Sequence, residues 1–137
     1  MSTMVGPPGS TWSVSSDNTF SSTISGWYSV GYKIDFNVGG NISSAFSTFG
    51  SILLLDSIIV HGSGTLAKAP FTSNHQYALS NYIIFRYMAN QKLQLNVIAN
   101  MVGAGSTNAT TIGITNPFGG QFDEAPATIT ITRITDL

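Results

Sequence analysis

The side chains with chemistry to offer are few and far apart. His61 and His75 are the two histidines, and neither has a second His or a Cys at metal-ligand spacing, because the chain has no Cys at all. Zinc sites gather Cys, His and carboxylate donors at short spacings, so both histidines read as loop or interface residues and no metal ligand is expected. Serine is abundant, yet no Gly-x-Ser-x-Gly elbow is present to raise a nucleophile above a sheet. No catalytic residue is expected. Asp123-Glu124 is the one adjacent acidic pair. With nearby carbonyls it forms the oxygen-only donor set that Ca²⁺ takes, but adjacent loop acids are usually just solvated. No cofactor is therefore expected, and calcium is the only ion left open.

The remaining motifs read as structure. Gly103-Ala104-Gly105-Ser106 opens no helix, so it makes no phosphate cradle. Asn41-Ile42-Ser43 and Asn108-Ala109-Thr110 match the glycosylation sequon and are taken as chance matches. Trp12 and Trp27 offer flat apolar surfaces for a sugar ring or for a protein partner. Filling a protein interface is the commoner use.

Charge excludes one large class of function. Five Lys and Arg stand against six Asp and Glu in 137 residues. Lys33, Lys68, Arg86, Lys92 and Arg133 are dispersed singly, whereas nucleic-acid binding needs clustered cations to neutralise phosphates. Met1 to Ser10 has neither a basic nor an apolar signal region, and Ile52 to Leu55 is the longest apolar run. Neither Sec export nor membrane insertion is expected, since a helical span takes about 20 apolar residues.

Behind these residues stand strands. Ser, Thr, Asn and Gly supply the polarity that charges usually supply, which favours turns and pleated surfaces over helices. Tyr28, Val30, Tyr32, Ile34, Phe36 and Val38 alternate with Ser29, Gly31, Lys33, Asp35 and Asn37, the period of a strand burying one face. Leu93, Leu95, Val97, Ala99 and Met101 alternate likewise after a turn at Asn90-Gln91. Further strands are expected at Trp12–Val14, Phe20–Ile24, Thr110–Thr115 and Ala127–Ile134. Residues 1–11, with Gly6-Pro7-Pro8-Gly9, read as an extended arm, and 12–137 as one antiparallel β-sandwich domain.

Two strands break the one-sided pattern. Phe49–Val60 and Leu79–Met88 carry apolar residues on both faces. One face fills the domain's own core; a second, if exposed, marks an interface. Ile52, Leu54, Ile58, Val60, Tyr82, Ile84 and Met88 are accordingly expected to form a subunit seam. Val5, Pro7, Pro8 and Trp12 are expected to reach a neighbouring protein from the arm.

The order of these signals resembles the C1q and tumour-necrosis-factor jelly roll. Phe20 followed by Gly26-Trp27-Tyr28-Ser29-Val30 resembles that family's entry into its long third strand. Phe85 to Val97 is similar to its hairpin, and Ala127 to Leu137 stands where its closing strand ends the domain. The hairpin turn is Asn90-Gln91 where the family commonly has Gly-Asp, and the last strand lacks the family's Gly. The resemblance implies a jelly roll of eight to ten strands that forms tight homotrimers. With a surface poor in charge, it leads to the expectation of a non-enzymatic virion protein, assembled in the host cytoplasm and displayed on the virion surface. The reading preferred is a phage capsid decoration (cement) protein that binds the major capsid protein. The alternative is a receptor- or glycan-binding knob of a tail or head fibre.

Overall fold

A computed structural model of the chain describes residues 10–38, 46–70, 75–102, 110–112 and 127–137. Every regular element among them is a strand: β1 (Trp12–Val14), β2 (Phe20–Ser22), β3 (Gly26–Val38), β4 (Phe46–Leu55), β5 (Ile58–Ile59), β6 (Thr65–Pro70), β7 (His75–Tyr87), β8 (Leu93–Val102), β9 (Thr110–Ile112) and β10 (Ala127–Thr135). They form two antiparallel sheets. The first runs β1-β2-β8-β4-β5 with β6 also on β4; the second runs β10-β3-β7 with β9 also on β3. The chain changes sheet from β2 to β3, from β3 to β4, from β6 to β7, from β7 to β8 and from β8 to β9.

The core lies between the sheets. Tyr28, Val30, Tyr32, Ile34 and Phe36 of β3 are buried, as the alternation predicts, against Phe49 and Leu53 of β4, Leu93 of β8, and Phe85 and Tyr87 of β7. Aromatic rings join the two layers: Phe36 and Phe49 lie 4.9 Å apart, and Trp12 and Tyr28 meet edge to face at 5.3 Å. Such pairs add about 0.5–1.5 kcal/mol beyond the area they bury.

Three local readings are corrected. Phe49–Val60 is not one strand, because Asp56 (φ 49°) and Ser57 (φ 68°) make a two-residue reversal between Leu55 and Ile58. Both residues at positive φ suit the right-handed twist of a hairpin. Lys68–His75 is not all loop, since β6 pairs with β4 from Ser51↔Thr65 to Phe46↔Pro70. The strand read as starting at Leu79 starts at His75 and pairs with β3 over its whole length, Gly26↔Tyr87 to Val38↔His75.

Two polar anchors hold the layers together. The loop after β5 drives Ser63 fully into the core, where its Oγ accepts the Leu53 N–H (3.0 Å) and its carbonyl accepts the Tyr32 hydroxyl. At the other end the Tyr87 hydroxyl accepts the Ser22 N–H (2.7 Å) and donates to Gln91 O (2.8 Å). Buried polar groups that find partners in this way fix the register of the elements around them.

Candidate interaction face

Strand geometry sends alternate side chains to opposite faces, so the side of β3 that is not core faces out of the sandwich. There Trp27, Ser29 and Gly31 follow one another. Across from them on β7 stand Arg86, Ile84 and Tyr82, and across on β10 stand Thr132 and Thr130. Tyr82 is 65% exposed, Ile84 58%, and Trp27, Met88 and Ile134 are also exposed. A Cβ added at Gly31 would stand 3.6 Å from Tyr82 Cδ2, so the tyrosine ring lies across the glycine. Charge on this face is sparse. Lys33 Nζ lies 3.3 Å from the buried Asp35 carboxylate at one end, and Arg86 stands exposed across from Trp27, between Ile84 and Met88.

The seam residues expected from the sequence are not brought together. Tyr82, Ile84 and Met88 belong to the outer face of the β10-β3-β7 sheet. Ile52 and Leu54 lie half-buried on the outer side of β4, in the other sheet and on the opposite side of the sandwich. Ile58 is exposed on β5, while Val60 is partly buried against the core with its N–H on Leu53 O. The correction is that one set of two-faced strands supplies two surfaces, because β4 and β7 lie in different sheets. Trp12 is likewise committed to the core, its ring 5.3 Å from Tyr28 and 4.9 Å from Tyr87. Val5, Pro7 and Pro8 lie outside the described residues, as do Asp123-Glu124 and the Gly103–Ser106 segment.

The second surface has members that the sequence pattern does not single out. Ile59 and Leu66 are exposed beside Ile58 on β5 and β6, the strands at the β4 side of the first sheet. β6 lies next to β7 at the open side of the sandwich, where Asn81 Nδ2 donates to Gly62 O (2.9 Å). Ile134 was findable from its spacing. Ile129 and Ile131 face the core and Ile134 is out of phase with them, and a bulge between Arg133 and Thr135 carries it to the surface.

Among the described residues no group of three or more His, Asp or Glu side chains gathers, and no helix is long and apolar enough to cross a membrane. His61 sits exposed in a turn. Asp17 is held well below the usual carboxylate range by hydrogen bonds from the Ser15 and Thr19 hydroxyls, with a smaller contribution from Lys92. Its hydroxyl partners are local, so the group closes a turn, and Lys92 lies 3.5 Å from it. Tyr87 is pushed up by desolvation in the core.

No protein-family model matches the chain, and no curated protein shows significant sequence similarity to it.

Proposed function

We propose that the chain is a non-enzymatic structural protein that assembles as a homotrimer on a virion, as a capsid decoration protein holding the major capsid protein of a phage. The observation that carries the reading is the exposed apolar face of Trp27, Tyr82, Ile84, Met88 and Ile134, in which Arg86 is the one exposed cation among the described residues of β7. A patch of this kind, rimmed by polar residues, marks a surface that meets another protein. The strand order supports the jelly-roll part of the reading: β3 lies between β10 and β7 while the chain passes repeatedly between sheets.

A ring is favoured over a two-fold dimer because the chain has two different apolar surfaces. The β10-β3-β7 face and the Ile58, Ile59 and Leu66 edge are not copies of one another. Contacts between unlike surfaces run head to tail and close into a ring where the rotation between copies allows it. A three-fold ring offers one grip three times over, which suits a capsid lattice with local three-fold axes. Light scattering tests the oligomer, with a mass three times the chain's expected. Electron microscopy of particles tests the location, with density over the capsid expected and density confined to the tail counting against decoration.

The exposed Tyr82 ring, lying over Gly31, favours a second reading in which the same face stacks a sugar. Specific binding on a glycan array, lost in Tyr82→Ala, would favour a receptor-binding knob instead.

A further inference from the structure

The two surfaces above act through side chains. β7 also has a backbone surface. It pairs only with β3, so one of its long edges is hydrogen-bonded to no strand among the described residues, although β6 of the other sheet lies near it. In an antiparallel ladder, residues alternate between those bonded to the neighbour and those whose N–H and C=O point away. The Tyr82 N–H identifies the phase: it donates to Asn81 Oδ1 (2.8 Å) and so turns away from β3. Ser80, Ile84 and Arg86 share that phase, and their backbone groups face the open edge. All three are exposed.

Long edges of this kind template pairing with other chains, and proteins usually blunt them with Lys, Pro or a bulge. From Tyr77 to Phe85 this strand has no Lys, no Pro and no charge, and its register on β3 runs without a bulge. One feature does blunt it. Asn81 Oδ1 takes the Tyr82 N–H at the middle of the edge, and Asn81 Nδ2 is tied to Gly62 O.

We propose that the outward edge of β7, from Ser80 to Arg86, is a strand-pairing surface for a second copy of this chain, and that Asn81 keeps it closed. The occupant follows from the edge's own pattern. Turned about Ile83, β7 sets Tyr82 against Ile84 and Ser80 against Arg86. This gives aromatic–aliphatic cross-strand pairs on each side of the axis and never opposes two arginines. The edge is therefore complementary to itself. Asn81 decides between the two ways in which copies can meet, side chain to side chain or strand to strand.

The test is Asn81→Val, which suits a strand but cannot cap the Tyr82 N–H. At equal concentration it should sediment as larger species than the parent protein. Adding Ser80→Pro, which removes an edge-facing N–H at a position where an edge strand tolerates Pro, should return it to the parent's size. An Asn81→Val protein of unchanged size overturns the proposal. So does a double variant that stays as large, since Asn81 would then be acting through the Gly62 loop. Hydrogen exchange on the parent protein reads the edge without any variant. Fast exchange at Ile84 and Arg86 is expected, and strong protection there would overturn the open edge even if Asn81→Val fails to fold. A monomeric parent would count against the trimer alone, leaving the edge proposal to these measurements.

Discussion

Ile84→Asp separates assembly from folding most sharply. Ile84 is 58% exposed in the single chain, so association can bury at most that remainder. Full burial of an Ile side chain yields about 1.5–3 kcal/mol, which scales to about 1–2 kcal/mol per copy here. Summed over three joints this reaches about 3–5 kcal/mol, and at 1.4 kcal/mol per decade it weakens the trimer by about two to four orders of magnitude. Burying the new carboxylate adds to the loss. In the isolated chain the side chain stands in water, so stability to urea should change by no more than about 1 kcal/mol, the span of strand propensities. The expected result is a folded monomer with a urea midpoint close to the parent's.

Leu66→Asp extends the test to the second surface. If the joint runs from face to edge, it disperses the trimer as Ile84→Asp does. Mixing the two variants then restores one good joint, between the intact face of one copy and the intact edge of the other, and gives a one-to-one dimer. Sedimentation velocity at several concentrations reads all three outcomes. An Ile84→Asp protein of full trimer mass would refute the assignment of the face. A Leu66→Asp trimer would refute the head-to-tail joint and leave a face-to-face contact.

Three further outcomes are expected of the fold itself. Tyr87→Phe leaves the buried Ser22 N–H without its acceptor, so urea denaturation should show a loss of about 1–3 kcal/mol, with the assembled mass unchanged. Ser57→Gly relieves a side chain held at φ 68° and should raise stability by about 0.5–1 kcal/mol in the same assay. Asp17 has a depressed pKa in the folded chain, so its contribution is present above the unfolded carboxylate value and is lost as pH falls below it. Asp17→Asn should therefore be less stable than the parent at neutral pH, with the difference shrinking as pH falls below the ordinary carboxylate range and the acid side of the stability–pH profile flattened.

The one-sided strand was the easiest element to read, because Tyr28 to Phe36 alternate without interruption and the structure buries every member of that stripe. The apolar pair Leu55 and Ile58 hid a reversal, since Asp56-Ser57 is not the Asn-Gly or Asp-Gly that usually signals a tight hairpin. β6 was obscured by Pro70, which sequence patterns treat as a strand breaker. It is tolerated because, among the described residues, β6 pairs only with β4. The interaction face was half legible. Apolar residues on both sides of a strand reveal that a second contact exists, but period-2 alternation carries no information about which sheet the strand joins. Leu54 shows the consequence: it shares its pattern with Ile84 and faces the opposite side of the sandwich.

The placement of charge bears on how such surfaces can be used. Lys92 lies 3.5 Å from Asp17, Lys33 lies 3.3 Å from Asp35, and Arg133 is paired with Asp136. Asp56 commits its carboxylate to the Lys92 N–H and the Gln91 side chain. These groups hold turns and strand ends, away from the middle of the β10-β3-β7 face. Long-range charge steering is therefore weak, and association must rest on apolar burial and shape. Burial is non-directional and permits any copy-to-copy contact that hides the face. Specificity must then come from exclusion. A strand edge left open beside an apolar face offers a competing contact, because its backbone groups can pair with those of another copy. A single amide that caps the edge at its centre, as Asn81 does, removes that contact without placing a charge in the face.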